Sequence, residues 1–497
     1  MDGDVIFNPS GQNSPAGSPP SNQQNQQIQG VTGQVDQSAD AAQTTGTTVE
    51  VSLGKVPPDG IVGNILGGSL LKKLLIGIGA IILLTFIIIL LIPKNQSQKP
   101  VTLEWWGLWE DSSTIQPLIL RFEKSHPNIT ITYVKSDPSQ YLDRLQARIQ
   151  NGNGPDIFTY HNTWLPMLSG DLSPLPSSVI TPDVFKQAYY PVMQQDLTQN
   201  GALYGIPMEA DTLALFVNSA LFQAAGVQVP NNWDQFVKAA KQLTVKTPDG
   251  KIKTAGAALG TYSNVTHAPD IISLLFLQQG VQMNNLTASA QNESDALQFY
   301  TSFALGQNNV WDGTLDNSQL AFSKGNLAMY FGFSWDVFAI QKLNPNLNFK
   351  IYPVPNLYGK KTTVASYWVE GVSAKSPHQK EAMEFMQYLA QKSTAQLFYT
   401  ETAKTRAFGE PYARRDLQSS LKDNPLVYPF VSQLNDAGSS FFASDTHDGN
   451  TGLDSQMNSY LQTAVNSILN DNSSVDSSVQ ALNSGVSQVL QKYGQPQ

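Results

Sequence analysis

Between Val101 and Tyr160 the chain alternates strand and helix patterns, and that order admits few folds. Val101, Leu103 and Trp105 alternate with Thr102, Glu104 and Trp106, as in a strand. A helical pattern runs from about Ser113 to Ser125 and stops at His126-Pro127, because the residue before proline is driven out of the helical region. Ile129, Ile131 and Tyr133 alternate in a second strand. Tyr141, Leu142, Leu145 and Ile149 mark a second helix, closed by Gly152 and Gly154, and Pro155 to Tyr160 reads as a third strand. A β-α-β-α-β order demands a parallel sheet with helices on its faces, an α/β fold. Ligands of such sheets bind outside the carboxyl ends of the strands. The two loops expected there, Trp105–Asp111 and Tyr160–Trp164, are loaded with aromatic and polar residues.

Upstream lies a different kind of sequence. Leu74 to Pro93 holds 20 residues without a charge, which as a helix would span about 30 Å, the thickness of a bilayer core. The run is apolar on every face, which disfavours a buried core helix. It is longer than a signal-peptide core, sits behind some 70 residues and lacks an Ala-x-Ala site after it. An uncleaved single-pass anchor at 70–93 is expected, contacting the membrane through 74–93. Lys72 and Lys73 before it and Lys94 and Lys99 after it barely set an orientation. The exported character of the large domain sets it, with that domain extracytoplasmic at the cell membrane. Residues 1–60, rich in Gln, Asn, Ser, Gly, Thr and Pro, cannot bury enough apolar surface to offset chain entropy. They read as a disordered cytoplasmic tail, and 94–100 as a polar linker.

Composition excludes several functions. There is no Cys, hence no disulfide framework, no thiolate metal site and no lipid-anchor cysteine. The net charge of -9 argues against nucleic acid, which needs a basic face.

The stretch Tyr204 to Phe236 is the most distinctive. A Gly-Ile-Pro turn leads into Met208-Glu209-Ala210-Asp211; the apolar run Leu213–Val217 follows, then Asn218, a short amphipathic helix, Gly226, Pro230 and a helix opening at Asn232-Trp233-Asp234. It reads as an extended segment passing from one layer of structure to another. Beyond it helices dominate, at 232–243, 271–277, 295–305 and 317–322, with a turn at Thr247–Lys251. A strand at 325–330 is followed by a loop at 331–336, and a strand at 348–354 is expected to return to the first layer. Helices at 381–389, 453–469 and 475–493 close the chain.

With Gly154-Pro-Asp-Ile157, Phe322-Ser-Lys-Gly325, Ala328-Met329, Pro353-Val-Pro355, Ser376-Pro and Glu381-Ala-Met-Glu-Phe385, this segment resembles the extracellular solute-binding proteins of family 1, the sugar-binding, maltose-binding-like components of ABC importers. The resemblance spans essentially all of Val101 to Tyr493. It implies a two-lobed periplasmic-binding-protein fold of type II with three interlobe crossings, near 207–211, 351–355 and 399–403, preceded here by a single transmembrane helix. The N-terminal lobe would comprise 101–208 and 355–400, the C-terminal lobe 209–354 and 401–493.

A sugar site needs flat aromatic surfaces for C–H faces and charged or amide groups for hydroxyls. Trp109 and Trp164 lie on loops at strand ends and are open between site and packing. Alternation sends Trp105 and Trp106 to opposite faces, so one of them should be core. The resemblance implies a core role for Trp233 and ligand contact for Trp335, directly after a strand, for Tyr160, after the third strand, and for Trp368. It places Glu209 at the position that binds sugar hydroxyls in many relatives, with Asp211 beside it. Glu110, Asp111, Asn162 and Glu370 are weaker candidates, and Arg406, just past the third crossing, could pair with a carboxylate or ligand. Asp445-Thr-His-Asp-Gly-Asn450 lacks the spacing and distal Glu of a calcium loop and reads as a turn near the cleft.

Glu209 and Asp211 are neighbours on one segment rather than carboxylates opposed across a cleft, as a glycosidase needs. No zinc-protease, serine-hydrolase or phosphate-loop motif is present. The sequence therefore implies binding without catalysis, metal or cofactor: a monomeric, membrane-tethered protein that captures a carbohydrate by hinge closure and passes it to an ABC permease. The alternatives are a carbohydrate sensor or adhesion component of an envelope complex, and a glycoside hydrolase.

Overall fold

In the computed structural model the first strand forms at Val101–Gly107 and pairs in parallel with Ile129–Lys135 on one side and Ile157–His161 on the other. The structure describes residues 68–91 and 99–494, apart from 284, 308 and 472. They fall in two units, Met1–Lys94 and Asn95–Gln497.

In the first unit a helix of 24 residues runs Gly68–Leu91. Side chains are described over 73–85. There Leu74, Leu75, Ile76, Ile78 and Ile81–Leu84 are exposed. Among the described residues no helix is long and apolar enough to cross a membrane. The anchor expected at 74–93 runs past the described residues, and the tail expected at 1–60 and most of the linker lie outside them.

In the second unit the helices Ser112–Ser125 and Tyr141–Gln150 cover the first sheet. Their buried positions, Ile115, Leu118, Ile119 and Phe122 on one and Tyr141, Leu142, Leu145 and Ile149 on the other, follow the helical period. Antiparallel strands Trp368–Val372 and Ile206–Pro207 complete five strands. The strand Val101–Gly107 is flanked by strands on both sides and covered on both faces, so Trp105 and Trp106 are both buried, at 3% and 8% exposure, where alternation had marked one as core.

A second five-stranded sheet is built round the apolar run Ala214–Asn218, wholly buried, which pairs antiparallel with Leu327–Gly332 and with Phe349–Tyr352. The strand expected to return at 348–354 thus stays in this second sheet. The loop expected at 331–336 is also corrected: the strand continues to Gly332 and a helix, Ser334–Leu343, begins at once. A short hairpin, Val245–Lys246 with Ile252–Ala257, extends the sheet around the expected turn. The end of its strand, Ala255-Gly256-Ala257, consists of small residues where it passes close to the helix Trp233–Leu243. A Cβ on Gly256 would lie 1.8 Å from the Ala240 carbonyl oxygen.

Between the two sheets lies a three-stranded one, Ala437–Gly438, Thr363–Ser366 and Asp211–Thr212. Trp233 is core as expected: it is 4% exposed, donates its indole N–H to Gln278 Oε1 at 2.8 Å, and packs against Phe236, Phe299 and Phe331.

Candidate functional site

Three segments that leave the sheets meet in one cleft: the loop after Val101–Gly107, the extended stretch through Glu209 and Asp211, and the first turn of Ser334–Leu343. They enclose a cavity of about 490 Å³ bordered by Trp109, Glu209, Asp211, Trp335, Trp368 and Arg406, six of the residues nominated from sequence. A smaller cavity of about 50 Å³ adjoins it, and Trp109, Glu209, Trp368 and Glu410 border both. Glu110 and Glu370 border the smaller one.

The aromatic walls are held by other rings. Trp109 and Trp368 meet edge to face, with centroids 5.2 Å apart at 67°. Trp368 also rests on His161 and on Trp164, at 5.1 and 5.4 Å. Trp335 lies flat on Phe333, at 4.4 Å and 13°. Pre-positioned rings lose little freedom when a ligand stacks on them.

The carboxylates are fixed with similar economy. Trp368 donates its backbone N–H to Glu209 Oε1 at 2.6 Å. Burial pushes the Glu209 carboxyl well above its ordinary range, and the Glu410 charge adds to the shift. Asp211 accepts from the amides of Ser334 and Thr212, each at 2.7 Å. It thereby satisfies an orphan donor at the start of the helix that carries Trp335. Asp336, 1% exposed, accepts from Phe333 N (2.9 Å), Gln319 Nε2 (2.6 Å) and Tyr330 Oη (3.1 Å), and pairs with His267 Nε2 at 2.8 Å. Gly332 makes room for this carboxylate, since a Cβ there would lie 2.4 Å from Asp336 Oδ2. Burial alone would lower the His267 pKa, but Asp336, Asp445 and Asp270 together raise it to about 9. Arg406 bridges Glu110 Oε1 at 2.9 Å and Glu410 Oε1 at 2.5 Å, and lies over the Phe338 ring. Burial, then the Glu410 charge, pushes Glu110 up to about 7 against the pull of Arg406.

Three nominated residues stand elsewhere. Tyr160 is fully buried in the strand Ile157–His161, packed where side chains on Gly205 and Gly371 would collide with it, and borders neither cavity. A covered central strand has no solvent-facing side, which is why the stacking role expected for it fails. Trp164 is also fully buried and borders neither cavity; it packs against Trp368 and Tyr141. Asn162 is 3% exposed, hydrogen-bonded to Tyr367 N (3.2 Å) and Asp196 Oδ2 (3.0 Å), and borders a separate cavity of about 460 Å³.

Sequence reasoning missed Glu410, Asp336 and Phe338 in the cleft wall, and placed His447 near the cleft only as part of a turn. Glu410 had a signal, standing four residues after Arg406. The turn Asp445–Asn450 borders the cavity through Asp445 and His447, both in the left-handed region at φ 57 and 54. That strained backbone is common at functional sites.

Comparison with known proteins shows the family of the chain. Residues 106–396 match the family described as bacterial extracellular solute-binding protein. The chain is 24% identical over 378 residues to the multiple sugar-binding protein of Streptococcus mutans, covering 71% of this chain and 85% of that one. It is 22% identical to the maltodextrin-binding protein of Bacillus subtilis, over 63% and 75% of the two chains. Among solved structures it shares the fold of a sugar-binding protein from Xanthomonas citri, with a TM-score of 0.65, 21% identity, and coverage of 79% and 98%. A cyclo/maltodextrin-binding protein complexed with maltotetraose gives a TM-score of 0.62 at 18% identity, over 80% and 99%. The chain belongs to the bacterial extracellular solute-binding proteins, which are binding proteins and not enzymes.

Proposed function

We propose that the protein captures a carbohydrate between two lobes and delivers it to an ABC permease from a membrane tether. One observation carries this reading: a cavity of about 490 Å³ that combines three tryptophans with Glu209, Asp211 and Arg406. That is within the usual size of a small-molecule site, and it pairs aromatic faces for C–H surfaces with carboxyl and guanidinium groups for hydroxyls. The sugar-binding names of the relatives point the same way. Glu209, Asp211, Trp109, Trp335, Trp368 and Arg406 are the proposed ligand contacts.

The lobes would be 101–208 with 355–400 and 209–354 with 401–493, hinged near 207–211, 351–355 and 399–403. Closure is stabilised by contacts from both lobes to the sugar. The exposed leucines and isoleucines of Gly68–Leu91 support the tether, with the binding domain extracytoplasmic. A thermal-shift screen of the full chain against mono- and oligosaccharides tests the reading. A ligand at 100 times its dissociation constant adds about 2.7 kcal/mol. A panel in which no saccharide raises the melting temperature refutes it.

A further inference from the structure

We propose that the inner corner of the cleft is built for a positively charged amino group, so that the ligand is an amino sugar. This deepens, and rests on, the carbohydrate reading above. The corner is made by the four side chains that border both cavities: Trp109, Trp368, Glu209 and Glu410. The two indoles meet edge to face at 67° and both border the cavities, and an indole ring beside a cavity attracts an ammonium group placed over its face.

The two carboxylates are short of positive charge. Glu209 takes one donor at Oε1, the neutral amide of Trp368, and the described residues offer none to its other oxygen. Glu410 shares the single guanidinium of Arg406 with Glu110. Elsewhere in the wall the carboxylates are already matched. Asp336 and Asp445 lie 2.8 and 3.6 Å from the two ring nitrogens of His267, and Asp211 accepts two amide N–H groups. Carboxyl groups without a cation of their own are therefore concentrated at the corner, where burial and the Glu410 charge oppose the ionisation of Glu209 and a bound cation would favour it. A hydroxyl can accept or donate a hydrogen bond there but cannot offset charge. An ammonium group does both, with charge-assisted bonds to the carboxylates.

The test is calorimetric titration of the full chain near pH 7 with sugars differing in one group. Glucosamine is set against glucose, galactosamine against galactose, and the glucosamine disaccharide against cellobiose, with the N-acetylated forms as neutral amides. The amino member of at least one pair should bind about 10-fold more tightly or better, equivalent to about 1.4 kcal/mol. Its N-acetylated form should lose that advantage. Glu209→Gln should weaken the amino member more than its hydroxyl partner and so narrow the ratio. Neutral members binding as tightly as amino ones would overturn the inference and leave the carbohydrate reading standing. So would an amino preference that survives Glu209→Gln unchanged, since another corner would then hold the charge. Failure of every saccharide, neutral or charged, to bind the folded protein would overturn both.

Discussion

Replacing Trp335 by alanine separates a stacking platform from a structural ring. Trp335 is half-buried, lies flat on Phe333 at 4.4 Å, and touches His267 edge-on at 6.4 Å. Aromatic pairs of this kind are each worth about 0.5–1.5 kcal/mol, so truncation should cost the free protein about 1–2 kcal/mol. In a unit of this size that is a fall of a few degrees in melting temperature. The helix itself should survive, because its start is held by Asp211 and Asp336 rather than by the indole. Binding should suffer more. An aromatic anchor in a cleft centre costs about 2 kcal/mol or more when truncated, roughly a 30-fold loss at 1.4 kcal/mol per decade. Trp335→Phe keeps a flat face and should recover most of that loss. Titration calorimetry with a bound saccharide, alongside scanning calorimetry of the free variant, gives both numbers. A folded Trp335→Ala variant that binds like the wild type refutes the assignment.

Other residues predict different signatures. Trp233→Ala should lower stability by about 3–5 kcal/mol while leaving the affinity of the folded fraction intact, read by denaturant melts and titration. Asp211→Ala strands the Ser334 and Thr212 amides; with about 1–3 kcal/mol per unsatisfied buried group, thermal melts should show a loss of about 2 kcal/mol or more. Stability should also rise toward acid. His267 is raised to about 9, Glu110, Glu293 and Glu370 to about 7, and Asp196 and Asp270 to about 6. A group whose folded pKa is raised contributes stability below its unfolded pKa and loses it as pH climbs through the folded value. The melting temperature should therefore be higher near pH 5.5 than near pH 8.5; a flat or inverted profile would show that these groups are not buried as described.

Much of the fold was legible because its periodicities are local. The strand at 101 and the helices at 113 and 141 repeat with the spacing of their buried faces, and the run Leu213–Val217 is apolar throughout because its strand is buried on both sides. The hairpin at Ile252–Ala257 was not legible: its Ala-Gly-Ala is chosen for close approach to a helix, and such residues carry no strand signal. The wall of the cavity was readable where residue type and segment agreed, at Glu209, Asp211 and Trp335. It failed where only side-chain direction separates core from cleft. Tyr160 and Trp368 lie on paired neighbouring strands, yet one is inside the sheet's packing and the other opens on the cavity. Glu410 and His447 enter the wall from late in the chain, Glu410 signalled only by its spacing from Arg406 and His447 only by its place in a turn expected near the cleft.

The most direct measurement is a crystal structure of the protein with the tightest-binding saccharide of the panel. The account predicts a sugar ring in the cavity bordered by Trp109, Trp335 and Trp368, with hydroxyl or amino groups within hydrogen-bond distance of Glu209. A sugar seated instead in the separate cavity beside Asn162 and Asp196, with the tryptophan-lined cleft empty, would contradict it.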